Sequence, residues 1–117
     1  MKLENLTEQH LLDIIRLYEQ HCGFGRGFRE TMYQIPSAVL ESLRENKREE
    51  YRIGSRWSGH SKIYFEANRA GDITIRFNSN FDPKDRSGQE YNEAEIAGEI
   101  FVQEAMKYLN APQPARK

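Results

Sequence analysis

Residues 51–78 read YRIGSRWSGHSKIYFEANRAGDITIRFN, and apolar and polar side chains alternate along this stretch with a period of two. The alternation falls into three runs separated by glycine-containing segments, which is typical of short antiparallel strands joined by turns. In each run the apolar residues occupy odd positions, so one face of the sheet is predicted to be apolar and the other polar. This stretch therefore predicts a three-stranded antiparallel meander.

The pairing of the strands follows from the rule that apolar residues lie opposite apolar residues. For the second hairpin this rule pairs Phe65 with Ile75, and the resulting three-residue loop ends at Gly71, where the turn requires a left-handed backbone. For the first hairpin it pairs Ile53 with Phe65 and predicts a loop over residues 58–60.

Three helices flank the predicted strands. Apolar residues at three-to-four spacing predict helices over residues 6–21, 36–47 and 93–109. Thr7 is a suitable N-cap for the first helix, and Asn92 with a glutamate three residues later is a capping box for the last. The order ααβββα predicts an α+β fold in which helices pack on one face of the sheet.

The length and the cysteine count indicate the domain organisation and the compartment. A chain of 117 residues fits a single domain, which we assign to residues 1–110, followed by a flexible C-terminal tail over residues 111–117. Cys22 is the only cysteine, so no internal disulfide can form. Because the N-terminus has no signal-peptide core and no apolar run is long enough to cross a bilayer, the sequence predicts a cytoplasmic protein.

The polar face of the predicted sheet is the main candidate binding surface. Four cations beside one tyrosine suit phosphate or carboxylate groups, and an arginine can lie on the tyrosine ring. Residues 25–71 are locally basic, with nine Lys and Arg against six Asp and Glu. The alternative is that this face is the solvated side of an antiparallel sheet. The candidate binding residues are Arg52, Arg56, Lys62, Tyr64, Arg76 and Asn78.

The last helix carries a second candidate surface. Ile96 and Ile100 point away from the apolar stripe that is predicted to face the sheet. Either residues 81–91 or the first helices cover these two side chains, or they contact a partner protein or a second copy of the chain.

A glycine-rich segment after the first helix is a third candidate surface, through Phe24, Arg26 and Phe28. Its glycine spacing does not match a phosphate-binding loop, so we interpret it as a hinge or a partner contact. No histidine or cysteine spacing is that of a metal site, and the sequence predicts neither a metal nor a cofactor.

These features predict a small non-enzymatic protein that binds and inhibits or regulates another macromolecule, as immunity proteins and inhibitors do. One alternative is a metal-independent ribonuclease, in which the cations of the sheet face hold phosphate and His60 or Glu66 transfers protons. Another is an RNA-binding domain that uses the same face. The isoelectric point of about 6.3 counts against the ribonuclease, because binding through phosphates requires a positive excess. Against the RNA-binding domain, Tyr64 is the only aromatic residue on the predicted outer face, whereas single-strand binding surfaces usually stack several bases on several aromatic residues. A protein partner is therefore expected, with RNA or a homodimer as alternatives.

Overall fold

The computed structural model describes residues 1–23, 35–53, 57, 61–79, 84 and 88–111, with the backbone alone at residues 35 and 51–53. After a short 3-10 turn, three helices and three strands follow in the order α1, α2, β1, β2, β3, α3. The strands form one antiparallel sheet in the order β1-β2-β3, so the predicted α+β fold is confirmed. The elements are the 3-10 turn Leu3–Asn5, α1 Glu8–Cys22, α2 Ile35–Asn46, β1 Arg48–Ile53, β2 Ser61–Ala67, β3 Ile73–Asn78 and α3 Gln89–Asn110.

Helix α1 begins where the sequence predicts. The Thr7 hydroxyl accepts a hydrogen bond from the backbone N–H of His10, and the N–H of Thr7 donates to His10 Nδ1 at 3.0 Å. This exchange satisfies N–H groups that the first turn leaves without helical partners. The helix ends at Gly23, whose φ is 68°. The buried residues of α1 lie on one face: Leu11, Ile14, Ile15, Tyr18 and Cys22.

The core lies between the apolar face of the sheet and the helices. Phe65 and Ile75, neighbours across β2 and β3, are each 1% exposed. The rings of Tyr18 on α1 and Phe101 on α3 meet edge to face with centroids 5.4 Å apart. Burial of these side chains provides the main favourable contribution to folding, because apolar surface leaves water.

The second hairpin has the predicted register and turn. Phe65 pairs with Ile75. Asn68 and Asp72 close the turn, because the N–H of Asn68 donates to the carbonyl of Asp72 at 3.0 Å. Gly71 has a φ of 84°, the left-handed conformation that this loop requires.

The N-terminal segment covers part of the outer edge of β3. Lys2 forms a bridge with Asp72, and the N–H of Ile73 donates to the carbonyl of Met1 at 3.0 Å. The Lys2 ammonium lies 3.0 Å from the Asp72 carboxylate and lowers the pKa of that carboxyl. This contact shields backbone groups that an edge strand would otherwise expose.

The passage from α2 to β1 differs from the prediction. The sequence predicts a helix over residues 36–47 and strands from residue 51 onward, but α2 ends at Asn46 and β1 begins at Arg48. Lys47 makes the turn with a φ of 65°, its N–H donates to the carbonyl of Leu43, and its own carbonyl accepts from Ala67 at 2.7 Å. Strand pairing with β2 therefore starts immediately after the helix. The local sequence does not predict the hydrogen bond between Ala67 and Lys47 that begins this pairing.

The start of α3 also differs from the prediction. The helix begins at Gln89, and its N-cap, Gly88, makes no side-chain capping hydrogen bond. Asn92 lies inside the first turn, where its N–H donates to the carbonyl of Gly88 at 3.2 Å. The predicted capping box at Asn92 is therefore wrong. No helix in the ranges that the structure describes has the length and hydropathy needed to span a bilayer.

Candidate functional site

The pairing of β1 with β2 determines which side chains share the polar face of the sheet. The sequence pairs Ile53 with Phe65, but in the structure Glu49 lies opposite Phe65 and Ile53 lies opposite Ser61. The predicted register of the first hairpin is therefore wrong by four residues. Because four is an even number, the shift changes the neighbours across the strands but not which positions of β1 share a face.

The observed register changes the composition of the polar face. Its three rows are Arg48–Glu66–Thr74, Glu50–Tyr64–Arg76 and Arg52–Lys62–Asn78. The predicted pairing of Ile53 with Phe65 implies Gly54 opposite Tyr64, whereas the structure places Glu50 there. Among the side chains that the structure describes, the face thus holds three cations, Arg48, Lys62 and Arg76, and two carboxylates, Glu50 and Glu66.

The carboxylates pair with cations of the same face. Glu50 Oε1 lies 2.9 Å from Lys62 Nζ, and Glu66 Oε1 lies 2.6 Å from Arg76 Nη2. All four side chains remain partly exposed, so each pair contributes only about 0–1 kcal/mol to stability. The main effect of the pairs is on electrostatics, since they reduce the positive potential that the sequence predicts for this face.

Arg76 is held by two contacts at once. Its guanidinium lies 5.6 Å from the ring centroid of Tyr64, and the same group is paired with Glu66. The ring of Tyr64 is partly buried, while Arg76 is exposed. The predicted stacking of Arg76 on Tyr64 is confirmed.

Tyr64 and Arg76 lie in an open cleft of about 450 Å³. The cleft runs from the end of α2 across β1 to β3, and we call it the sheet cleft. A cleft of this volume falls within the range that accommodates several side chains or a small ligand. Its lining residues are Asn46, Arg48, Glu49, Glu50, Tyr64, Glu66 and Arg76.

The sequence-predicted binding residues fall into three groups. Tyr64 and Arg76 line the sheet cleft, whereas Lys62 and Asn78 lie on the same face but do not line it. The backbone register places Arg52 opposite Lys62. Arg56 lies outside the described residues, as do Phe24, Arg26 and Phe28 of the glycine-rich segment.

Sequence reasoning missed Arg48 and Glu50. Their signal is the period of two, which extends backward from Arg52 through Glu50 to Arg48. The run of charges hid this strand, because consecutive charged residues are typical of a solvated helix end.

The outer face of α3 is the second candidate surface. Ile96 is 60% exposed and Ile100 is 41% exposed, so neither side chain is covered. Both lie opposite the buried stripe of α3, which includes Ala94, Phe101 and Ala105. They remain candidates for contact with a partner.

Helices α1 and α3 also enclose a groove of about 420 Å³. At this groove the hydroxyl of Tyr108 donates to Asp13 Oδ2 at 2.6 Å. Burial, together with the hydrogen bond and the negative charge of Asp13, raises the pKa of Tyr108 to about 12. The phenol therefore stays protonated at neutral pH and links the two helices.

Glu66, which the ribonuclease alternative uses for proton transfer, is engaged by Arg76. His60, the other proton-transfer residue of that alternative, lies outside the described residues. Among the residues that the structure describes, no group of three His, Cys, Asp or Glu side chains is arranged to hold a metal ion.

Comparison with models of known protein families, with curated proteins and with solved structures finds no significant match to this chain.

Proposed function

We propose that this chain is a small non-enzymatic protein that binds another protein through the sheet cleft and thereby inhibits or regulates it. The observation that carries the proposal is the placement of Arg76 on the ring of Tyr64 within an open cleft. Tyrosine and arginine are enriched among the residues that dominate binding energy at protein interfaces.

The two contacts of Arg76 favour a binding role because they restrict its side chain before a partner arrives. Tyr64 holds the guanidinium plane and Glu66 holds one of its nitrogens. Immobilising a flexible side chain costs roughly 0.5–1.5 kcal/mol on binding, and a side chain that is already positioned avoids much of this cost.

The charges of the cleft favour a protein partner over RNA. Glu50 and Glu66 line the cleft together with Tyr64 and Arg76. A phosphate backbone that reached Arg76 would also approach these two carboxylates. The negative phosphates and the negative carboxylates would then repel each other. A protein surface can present acidic and basic groups at matching positions, so the mixed charges contribute to specificity.

The cytoplasm is the compartment that we propose for this activity. The chain contains a single cysteine, Cys22, which is buried, so no disulfide can form within the chain. Proteins of oxidising compartments commonly rely on disulfides for stability, whereas cytoplasmic proteins keep their thiols reduced.

Affinity capture followed by calorimetry tests the proposal. The wild-type protein and a Tyr64→Ala/Arg76→Ala variant are used as baits in lysate of the source cells, and the protein retained only by the wild type is purified. We expect its affinity for the variant to be at least tenfold weaker. Arg69→Ala, a change at the exposed hairpin turn, is the control and retains full affinity. Equal affinities for the wild type and a folded double variant would contradict the role of the sheet cleft.

RNA binding is measured in parallel by fluorescence anisotropy with labelled single-stranded RNA. We expect no binding at physiological salt. Tight RNA binding that is lost in the Tyr64→Ala/Arg76→Ala variant would replace the protein partner with RNA.

A further inference from the structure

The outer face of α3 combines an exposed apolar centre with acidic flanks. Ile96 and Ile100 lie one helical turn apart and are 60% and 41% exposed. Glu93 and Glu104 lie on one flank of this pair and Glu99 on the other, because successive residues turn by about 100° around the helix axis. All three glutamates are exposed. We call these five residues the α3 outer face.

The charge of this face is mainly negative. None of its three carboxylates forms an ion pair with another residue in the ranges that the structure describes. Lys107 lies on the same side of the helix, one turn beyond Gln103, and Arg16 of α1 lines the same groove as Glu104. The α3 outer face therefore attracts a partner that carries positive charge around an apolar centre.

A second copy of the chain does not fit this requirement. In an antiparallel two-fold pairing centred between Ile96 and Ile100, Glu93 of one copy would lie beside Glu104 of the other, given a rise of 1.5 Å per residue. A parallel pairing would place Glu99 of one copy on the same border of the contact as Glu93 and Glu104 of the other. Both arrangements bring like charges together at the border of the apolar contact, which is destabilising.

We propose that the α3 outer face binds a cationic amphipathic helix of a partner protein. Apolar side chains of the partner helix pack between Ile96 and Ile100, and lysines or arginines on either side of them reach Glu93, Glu99 and Glu104. This is the arrangement of two helices that pack through apolar residues and select one another by flanking charges. The binding surface is separate from the sheet cleft, which lies on the polar side of the sheet.

The apolar part of the contact is small, so the charges must contribute. Together the two isoleucines expose about as much surface as one whole isoleucine side chain. That area is well below the ~800 Å² per partner of a stable interface, so the α3 outer face alone supports a weak, salt-sensitive association.

The probe is an 18-residue amphipathic helical peptide of leucine and lysine with a fluorescent label, and its matched control has glutamate in place of lysine. Anisotropy titrations with the full chain are expected to show binding of the lysine peptide alone. An increase from 50 to 500 mM NaCl is expected to weaken that binding roughly tenfold, because the Debye length shortens. Equal binding of both peptides, or binding that is insensitive to salt, would contradict the proposal.

Variants locate the contact. Ile96→Ser/Ile100→Ser is expected to weaken binding at least tenfold, while Ile96→Leu/Ile100→Leu retains it. Both positions are exposed, so circular dichroism is expected to show an intact fold. If the serine variant and the wild type have the same affinity, the proposal is wrong.

Matched charge variants separate local from general attraction. Glu93→Gln/Glu99→Gln/Glu104→Gln is expected to abolish the salt dependence, whereas Glu4→Gln/Glu41→Gln/Glu45→Gln removes the same charge elsewhere on the surface and leaves affinity nearly unchanged. An equal loss of affinity in both variants would show that the peptide responds only to the net charge of the protein, and this would contradict the proposal.

Two further measurements distinguish this proposal from the alternatives. The Tyr64→Ala/Arg76→Ala variant is expected to bind the lysine peptide normally, since the sheet cleft is not involved. Light scattering after size exclusion is expected to show a monomer. A dimer that Ile100→Asp dissociates would assign the face to a second copy and overturn the proposal.

Discussion

Gly98 of α3 lies directly against the ring of Phe77 on β3. A Cβ atom built on Gly98 would lie 2.0 Å from Phe77 Cδ1 and 2.1 Å from Cε1. These distances are far shorter than a van der Waals contact, so only a glycine allows the helix backbone to come this close to the ring. The contact fixes which side of α3 faces the sheet, and it leaves Ile96 and Ile100 on the opposite side.

The substitution Gly98→Ala is expected to lower the free energy of unfolding by about 1–3 kcal/mol. The methyl group forces α3 or Phe77 to shift, and this cost outweighs the roughly 0.5–1 kcal/mol that alanine gains as a helix former. Denaturant unfolding followed by the fluorescence of Trp57, the buried and only tryptophan, measures the change.

The control for Gly98→Ala combines it with Phe77→Leu, which removes ring atoms from the contact. The double variant is expected to be more stable than the sum of the two single effects predicts. Strict additivity, or a more stable Gly98→Ala protein, would contradict the close approach.

The register of the first hairpin is testable by disulfide formation. Arg48 lies opposite Glu66, whereas the register predicted from the sequence places Arg52 there. In a Cys22→Ala background, Arg48→Cys/Glu66→Cys is expected to form a disulfide on mild oxidation, because a directly opposed pair has the required Cα separation of about 4.4–6.8 Å.

Arg52→Cys/Glu66→Cys is the matched variant and is expected to remain reduced. Thiol titration and the mass of proteolytic fragments measure both outcomes. Preferential cross-linking of Arg52→Cys with Glu66→Cys would support the register predicted from the sequence and contradict the observed one.

Lys47 adopts a conformation that favours glycine, with a φ of 65°. The left-handed region costs a residue with a side chain roughly 1–2 kcal/mol, and glycine avoids this cost but loses more conformational entropy on folding. We therefore expect Lys47→Gly to raise the free energy of unfolding by about 0.5–1 kcal/mol. Thermal and urea unfolding measure the gain.

Arg44→Gly is the matched control, because Arg44 is exposed within α2. There glycine weakens the helix, and we expect a loss of about 1 kcal/mol. A loss of stability in Lys47→Gly as well would show that residue 47 does not turn the chain in this way.

Because burial and the hydrogen bond to Asp13 raise the pKa of Tyr108, the free energy of unfolding is expected to change with pH in the alkaline range. An unfolded tyrosine ionises near pH 10, and in the folded protein the pKa of Tyr108 is raised to about 12. Between these values the unfolded state loses its proton first, so this contribution to stability, complete below pH 10, is lost as the pH rises toward 12. Burial also raises the pKa of Tyr18, with the same sign.

Tyr108→Phe removes that contribution. At pH 8 the variant is expected to be less stable than the wild type by about 1 kcal/mol, because the hydrogen bond to the carboxylate is lost. At pH 11 the difference is expected to be smaller. Urea unfolding at both values measures it, and a difference that stays constant with pH would argue against the raised pKa of Tyr108.

Part of the fold was predictable from the sequence because the relevant information is local. The Thr7 cap, the Gly71 turn and the pairing of Phe65 with Ile75 all follow from residues close in sequence, and the structure confirms them. The start of α3 was not predictable in this way, because its N-cap residue, Gly88, makes no side-chain capping hydrogen bond. Asn92, the local capping signal, lies instead inside the first turn of the helix.

The candidate site was only partly predictable. Tyr64 and Arg76 were identified because adjacent strands with a known register place them side by side. Glu50 was missed, although it is the residue that changes the balance of charge in the sheet cleft. Its position depends on the register of β1 against β2, which is set by contacts between residues far apart in the sequence.

The sequence by itself determined the kinds of elements, their order and the alternation of core and solvent positions. Burial of one face gives apolar residues a period of two in a strand and of about 3.6 in a helix. The tertiary structure decided the partners of β1. A shift of four residues leaves the same positions of β1 together on each face, so the period of two by itself does not distinguish the two registers. The hydrogen bond from the N–H of Ala67 to the carbonyl of Lys47 belongs to the observed register and joins the end of β2 to the turn after α2.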